Sequence, residues 1–265
     1  MTVPRLGLGT SGNDDPDQCA ESVRTAFELG YRHVDTAQMY DNEAAVGEGL
    51  AAAEVDREDV FVATKIHPSN LAGEDVRSTA RESLQRLGLD YVDLLYVHWP
   101  LRAYDPVDTL PAFDDLHDRG LVEHVGVSNF TPDLLREADR ILDAPIVANQ
   151  VEIHPLLPPR EELVDACAEV GADVVAYAPF CRLDALDVPA VESVAERHGV
   201  SPAQVCLAWS FEKGCKPIPK ATGRDHLADN RAALDLSLSD EDVAHIDGIE
   251  ERYRKFDPEG SPWRE

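Results

Sequence analysis

Residues 30–47 read GYRHVDTAQMYDNEAAVG and join a short apolar strand to the start of a helix. The strand covers residues 33–36 and carries the carboxylate of Asp35 near its end, because small and polar residues interrupt it at once. Asn42 is a candidate N-cap for the helix, whose apolar residues recur at helical spacing. Tyr40 lies between the two elements. A carboxylate and a phenol beyond a buried strand indicate proton-transfer chemistry if a cation or a base lies nearby.

Apolar runs of the same kind occur along the chain. They cover residues 6–9, 33–36, 60–64, 91–97, 122–127, 146–151, 173–178 and 217–219. Most are spaced by about 25 to 30 residues, the length of a βα unit, and one-sided helical patterns lie between them. Eight parallel strands that alternate with such helices bury both strand faces by closing into a barrel. The sequence therefore predicts one (β/α)8 TIM barrel domain over residues 1–265, with a tail at residues 251–265 near the barrel mouth.

A doubly wound parallel sheet is the alternative fold. It is disfavoured because Gly7 and Gly9 do not open a glycine-rich turn that leads into a helix, as dinucleotide-binding sheets of that class require. Two helices are predicted before the last strand, over residues 188–197 and 201–213. Further on, Ser239 and Asp242 predict a capping box at the start of a last helix.

The charge of the chain restricts its partners. It has 51 acidic and 24 basic residues, a net charge of -27, and only five of the basic residues are lysines. Nucleic acids and anionic membranes bind through cationic contacts, so neither is expected as a partner. The acidic residues occur on nearly every predicted helix, which favours adaptation to high salt over an acidic patch for a basic partner. A halophilic source is predicted.

Cysteine and histidine usage argues against a metal site. The five cysteines show no CxxC spacing, which indicates a reducing compartment and no zinc site. His33, His67 and His154 lie near strand ends without an HxH pattern or a carboxylate cluster, so no metal is expected. The sequence starts directly with predicted structure and contains no apolar run of membrane-spanning length. These features predict a cytoplasmic protein, with a monomer as the default.

Polar residues stand at or just beyond the end of each predicted strand. Barrels of this kind carry their chemistry at the carboxyl ends of the strands, so these side chains are expected to converge. They are Thr10, Asp35, Lys65, His98, Ser128, Asn129, Gln150, Tyr177 and Lys220. A tyrosine has an ordinary pKa of about 10 and needs a cation to stabilise its phenolate. Lys65, held charged by Asp35, is expected to be that cation for Tyr40, and His98 is expected to orient a substrate oxygen.

Six segments, at residues 30–50, 60–68, 91–100, 125–130, 149–155 and 218–230, resemble the signature blocks of the aldo-keto reductases in order and spacing. The resemblance implies reduction of an aldehyde or ketone by a nicotinamide cofactor that is bound without a Rossmann domain. It implies hydride transfer to the carbonyl carbon while Tyr40 protonates the oxygen, with Asp35 and Lys65 tuning Tyr40. The same resemblance implies that His98 positions the substrate and that Trp99 lines its pocket.

The resemblance also implies a set of cofactor contacts. Ser128, Asn129 and Gln150 would bind the carboxamide, and Tyr177 would stack on the nicotinamide. The other implied contacts are Gly9, Thr10, Lys220, Ala221, Thr222, Arg224, His226, Asp229 and Asn230. His226 stands where many members have an arginine, with Arg224 two residues earlier. NADPH is favoured over NADH because of Lys220 and Arg224, and NADH stays possible.

Two other functions fit the sequence less well than carbonyl reduction. A nicotinamide-nucleotide-binding redox sensor with little turnover is disfavoured because the four catalytic candidates are all present. A metal-dependent barrel hydrolase is disfavoured because no ligand pattern occurs. The natural carbonyl is left open, since family members take aldehydes, ketones, keto sugars and steroids. The aromatic residues Phe130, Phe180, Phe256 and Trp263 are candidates either for lining the mouth or for ordinary packing.

We expect the protein to loosen or unfold in dilute buffer. At molar salt the Debye length falls to about 3 Å, so repulsion among the carboxylates is largely screened, and dilution restores it. Thermal unfolding followed by circular dichroism, at molar KCl and in dilute buffer, measures the effect. Full thermal stability at low salt would contradict the salt-adapted interpretation.

Overall fold

The computed structural model describes residues 3–264. Within them, eight parallel strands form one sheet whose spatial order follows the chain. The strands are β1 (Leu8–Gly9), β2 (His33–Asp35), β3 (Phe61–Ile66), β4 (Val92–Val97), β5 (Val122–Ser128), β6 (Ile146–Glu152), β7 (Asp173–Tyr177) and β8 (Lys216–Pro217). The amides of Gly7 and Gly9 each donate to a carbonyl oxygen at or just after β8, at 3.1 Å, which brings the last strand to the first. The predicted barrel is confirmed.

Helices connect the strands and pack against the outside of the barrel. They are α1 (Pro16–Glu28), α2 (Glu43–Ala52), α3 (Gly73–Leu87), α4 (Pro106–Asp118), α5 (Pro132–Ile141), α6 (Glu161–Val170), α7 (Pro189–His198), α8 (Pro202–Glu212), α9 (Arg224–Ala232) and α10 (Asp240–Asp247). The two helices expected before β8 are α7 and α8. None of the helices in residues 3–264 is both long and apolar enough to cross a membrane.

Short polar side chains begin several of these helices. Asp15, Thr131 and Ser201 each accept a hydrogen bond from a backbone amide of the first turn, and each is followed by proline. Ser239 and Asp242 form the predicted capping box of α10. These caps satisfy amides that have no partner inside the helix, so the local sequence sets where each helix begins.

Asn42 occupies the N-cap position predicted for α2, but its side chain makes no capping hydrogen bond. Its carbonyl oxygen instead accepts from the hydroxyl of Thr36 at 2.8 Å. Its amide group donates to the backbone oxygens of Thr10 and Asn13, at 2.9 and 3.3 Å. The side chain is buried and satisfies its polar atoms across two loops. Asn42 therefore ties the loop after β1 to the end of β2.

The glycines near the start of the chain serve barrel closure. Gly7, Gly9 and Gly12 do have the spacing of a GxGxxG turn, but α1 begins only at Pro16. A Cβ atom added at Gly9 would lie 2.6 Å from the backbone oxygen of Ile218. The missing side chain thus permits the close approach of the first and last strands.

His33 lies fully buried on the barrel floor. Its ring meets the edge of Phe61 at a centroid distance of 5.1 Å. Neither ring nitrogen has a hydrogen-bond partner in the described part of the chain. Burial, with Lys65 and Lys216 as smaller causes, lowers the pKa of His33 to about 3. The imidazole is therefore neutral in the folded protein.

We expect the free energy of unfolding to fall as the pH drops below about 6.5, the ordinary histidine pKa. The unfolded chain binds a proton there that folded His33 excludes, which removes about 1.4 kcal/mol per pH unit for a fully shifted group. His33→Leu should therefore remove about half a proton of this pH dependence at pH 6.5 and close to one proton at about pH 5. Urea unfolding at molar KCl measures it, and an unchanged slope would show that His33 does not contribute.

Candidate active site

Strand alternation places the polar residues above an apolar barrel interior. The interior cluster consists of Val3, Phe61, Ala63, Leu94, Tyr96, Ala148, Val175 and Ile218. Residues two positions apart on a strand share a face, so the next positions on these strands continue the same inner face. Those positions are Lys65, His98, Gln150 and Tyr177. The convergence expected at the strand ends follows from this register.

Lys65 is the buried cation of the site. Its side chain is fully buried, and its Nζ donates to the Asp35 carboxylate and, at 2.8 Å, to the backbone oxygen of Thr36. The same Nζ lies 3.4 Å from the hydroxyl of Tyr40. The other carboxylate oxygen of Asp35 accepts from Nε2 of Gln150 at 2.8 Å. The structure thus places Tyr40 beside an ion pair that is shielded from solvent.

Burial and charge act in opposite directions on these groups. Burial raises the pKa of Tyr40 above its ordinary value, although the Lys65 cation acts to lower it. Burial alone would lower the pKa of Lys65, but Asp35 and Tyr40 raise it above its usual value. Burial also raises the pKa of Asp35, against the effects of Lys65 and Gln150. At neutral pH, Lys65 is therefore charged and Tyr40 keeps its proton.

His98 faces Tyr40 from the end of β4. The two rings meet edge to face with centroids 5.7 Å apart. Burial, together with the charges of Lys65 and His67, lowers the pKa of His98 well below its ordinary value, so the imidazole is neutral. Its Nδ1 is buried and has no hydrogen-bond partner within residues 3–264. Trp99 follows it in sequence and is also buried.

Ser128, Asn129 and Tyr177 form a second polar cluster. The Tyr177 hydroxyl donates to Oδ1 of Asn129 at 2.9 Å, and Nδ2 of Asn129 donates to the Ser128 oxygen at 3.0 Å. The Ser128 hydroxyl donates to the backbone oxygen of Gln150 at 2.9 Å. The side-chain amide of Gln150 faces Asp35 instead of this cluster. Gln150 therefore links the two polar clusters through different atoms.

Gly9 and Thr10, near the start of the chain, contact the backbone next to the candidate site. The hydroxyl and the backbone amide of Thr10 both donate to the backbone oxygen of Asp35, at 3.0 Å each. Gly9 lies against the residues that follow β8. Both residues therefore have a structural explanation that does not require a ligand.

The segment after β8 and helix α9 carry the remaining expected cofactor residues. These are Lys220, Ala221, Thr222, Arg224, His226, Asp229 and Asn230, of which Ala221 and Asn230 are buried and Lys220, Arg224 and His226 are exposed. Arg224 pairs with Glu28 of α1 at 3.0 Å. Asp229 accepts hydrogen bonds from Ser201 and Gln204 at 2.6 Å each. Arg224 and Asp229 are thus engaged within the protein, whereas the ammonium group of Lys220 lies at the surface.

The candidate aromatic residues divide into two groups. Phe130 is fully buried with its ring at 5.5 Å from that of Tyr104, and Phe180 packs on the core, so both serve ordinary packing. Phe256 meets the ring of Tyr177 edge to face at 5.6 Å. Trp263 donates from Nε1 to the backbone oxygen of Asn129 at 3.0 Å. The tail therefore reaches the second polar cluster.

Glu152 is a buried charged residue that sequence reasoning missed. It ends β6 with a fully buried side chain and accepts from Nε2 of His154 at 2.9 Å. It lies two positions after Gln150 on the same strand face, and that alternation is the signal that could have identified it. Its other partners lie in the tail, which strand periodicity does not predict.

A comparison with protein families identifies the chain. The model of the aldo/keto reductase family matches residues 5–251. The chain belongs to the aldo/keto reductase family. Methylglyoxal reductase DkgB of Salmonella typhi is 39% identical over 263 residues, 98% of each protein. The 9,11-endoperoxide prostaglandin H2 reductase of Trypanosoma cruzi is 35% identical over 257 residues, 96% of this chain and 90% of the relative.

Solved structures of the family agree with the fold. An aldo-keto reductase of Bombyx mori in complex with NADP matches with a TM-score of 0.89 and 33% identity, over 96% of this chain and 92% of that one. The aldose reductase of Schistosoma japonicum matches with a TM-score of 0.89 and 31% identity, over 97% and 91%. These relatives are named as reductases, so an oxidoreductase activity is supported for this chain.

We expect Asp35→Asn to lower the free energy of unfolding by about 3–5 kcal/mol, because it leaves the buried Lys65 cation without a counter-charge. Adding Lys65→Met should recover part of the loss, since the unpaired charge is then removed. Urea unfolding of both variants at molar KCl measures this, because salt screens a buried pair only weakly. A loss below about 1 kcal/mol in Asp35→Asn would mean that the pair is not a buried ion pair.

Proposed function

We propose that this protein reduces an aldehyde or ketone to the alcohol with a nicotinamide cofactor, and that Tyr40 is the proton donor. The observation that supports this most directly is the Tyr40 hydroxyl, 3.4 Å from a buried and charged Lys65. A cation at that position stabilises the phenolate that Tyr40 becomes after it gives up its proton. Asp35 keeps Lys65 charged, so the ion pair serves the same step.

The side chains around the barrel mouth fit a nicotinamide dinucleotide. Ser128 and Asn129 offer hydroxyl and amide groups that can donate to and accept from a carboxamide. Tyr177 offers an aromatic face beside them, and aromatic rings cover planar heterocycles. Lys220, in the segment after β8, offers an exposed cation for a phosphate group. When bound, the reduced cofactor supplies a hydride to the carbonyl carbon.

His98 would hold the carbonyl oxygen next to Tyr40. Its imidazole is neutral, so it can donate one hydrogen bond without competing for the Tyr40 proton. Its ring lies edge to face with that of Tyr40 at a centroid distance of 5.7 Å, so the two side chains are neighbours. Two donors on one oxygen favour the build-up of negative charge there in the transition state.

We favour NADPH over NADH, with Lys220 as the principal contact to the extra phosphate. Arg224 is engaged with Glu28, and His226 lies 3.3 Å from the backbone oxygen of Thr222, so their contribution to phosphate binding is smaller. The Bombyx mori relative was solved with NADP, which supports the same class of cofactor. NADH is the alternative cofactor. The ratio between the rates of NADPH oxidation and NADH oxidation decides between the two.

The relatives favour a small dicarbonyl substrate. The curated relative of highest similarity named above is a methylglyoxal reductase. We propose that 2-oxoaldehydes are among the substrates of this protein, with activated aromatic aldehydes, diketones and keto sugars as the other classes to compare. The single domain, monomeric state, cytoplasmic location and salt adaptation stay predictions.

We expect Tyr40→Phe to lower turnover of methylglyoxal at molar KCl by at least about a hundredfold, because it removes the proton donor. NADPH affinity, followed by fluorescence, should stay within about twofold, since the phenol acts on the substrate. Because the pKa of Tyr40 is raised, wild-type reduction should also be independent of pH between about pH 6 and 9.

The matched control is Tyr91→Phe. Tyr91 directly precedes β4, at the end of the strand that lies away from His98, and its ring packs under the guanidinium of Arg57. Equal turnover in Tyr40→Phe and Tyr91→Phe would refute the assignment of Tyr40. Tight NADPH binding by wild-type protein without turnover of any carbonyl would instead favour the redox sensor.

A further inference from the structure

The buried carboxylate of Glu152 holds the C-terminal tail. Its Oε1 accepts from the backbone amide of Lys255 at 2.7 Å, and its Oε2 accepts from that of Phe256 at 2.9 Å. Nε2 of His154 also contacts Oε1, at 2.9 Å, and the guanidinium of Arg254 lies 3.8 Å from Oε2. The Glu152 side chain is fully buried. A buried carboxylate with this set of partners fixes the backbone of the tail at one point.

Glu152 lies directly beside the expected position of the nicotinamide. It is the register partner of Tyr177 on the neighbouring strand. The tail that Glu152 holds brings Phe256 against the Tyr177 ring at 5.6 Å. The orientation of that ring is therefore restricted from one side by a residue of the tail.

The far end of the tail reaches the same cluster from another side. Trp263 donates to the backbone oxygen of Asn129, and the guanidinium of Arg254 lies 4.8 Å from the centre of the Trp263 ring. Asn129 has a left-handed backbone with φ of 64°, a conformation that asparagine tolerates better than most residues and that neighbouring contacts must maintain. The tail thus contacts both Tyr177 and Asn129, which are hydrogen-bonded to each other.

We propose that Glu152 is a positioning residue for the nicotinamide end of the cofactor, and that it acts through the tail segment at residues 254–256. The inference rests on the proposed function, because it assigns Tyr177 and Asn129 to the nicotinamide. Glu152 itself does not need to touch the cofactor. It holds the tail, and the tail contacts the Tyr177 ring and the backbone of Asn129.

Glu152→Gln removes this function with little change in side-chain volume. The carboxylate accepts a backbone N–H on each of its two oxygens, whereas a glutamine amide presents one oxygen and one NH2 group. In either orientation of the amide, the NH2 group faces the backbone N–H of Lys255 or that of Phe256. One of the two tail contacts is therefore lost in the variant.

The test compares a dinucleotide with its adenosine half. We expect Glu152→Gln to raise the Kd for NADPH about tenfold, the effect of about one lost hydrogen bond, and to leave the Kd for 2′,5′-ADP within about twofold. Phe256→Ala should give the same split, and it leaves the buried carboxylate in place should Glu152→Gln not fold. Glu123→Gln on β5, whose side chain is exposed, is the matched control and should change neither affinity.

Limited proteolysis provides a measurement without cofactor. Trypsin should cut after Arg254 and Lys255 faster in Glu152→Gln than in the wild type or in Glu123→Gln, because the tail is released. Unchanged NADPH affinity in the folded variants would overturn the inference, and so would equal weakening of NADPH and 2′,5′-ADP, which indicates a purely structural role. If wild-type protein binds neither NADPH nor NADH, the proposed function itself fails, so the two failures are distinguishable.

Discussion

The contact between Lys65 and Asp35 constrains most of the site. An ammonium group that is fully buried is strongly disfavoured unless an anion and further acceptors surround it. Lys65 lies on β3, and the adjacent strand β2 supplies the anion Asp35 and, just after it, the backbone oxygen of Thr36. Gln150 of β6 holds the other side of Asp35 from across the barrel, so this contact requires the closed barrel. The electrostatic environment of Tyr40 depends on the ion pair.

Along the barrel axis, the apolar residues that stabilise the fold lie below the polar residues of the candidate site. The inner residues of the lower strands are apolar, and the next inner positions are polar and lie at the carboxyl ends. His33 departs from this pattern, because it is an imidazole among apolar residues and is neutral there. At the carboxyl ends of the strands, burial again has the largest effect on the pKa values. It raises the pKa of Tyr40, which keeps its proton, and lowers the pKa of His98, which is neutral. A protonated phenol and a neutral imidazole are the forms that the proposed carbonyl reduction would use.

Two contacts between distant segments modify the site beyond what the family blocks describe. Glu28 of α1 pairs with the exposed Arg224 of α9, whereas Lys220 is an exposed cation near the expected phosphate position. Glu152 engages the backbone of the tail, which brings Phe256 to Tyr177. In both cases a carboxylate of this acidic chain contacts a segment next to the proposed cofactor residues.

The sequence alone determined the barrel, its eight strands and the starts of several helices, because apolar periodicity and capping residues act over a few neighbouring positions. It also placed Asp35, Tyr40, Lys65 and His98 near each other, since strand ends converge in any barrel of this kind. It predicted the position of Asn42 but not the partners of its side chain, and it did not identify Glu152, because these partners lie in other loops and in the tail. Only the tertiary structure decided that Gln150 faces Asp35 and that burial outweighs the Lys65 charge at Tyr40. Those outcomes depend on which distant groups meet and how much water they exclude, and local sequence patterns encode neither.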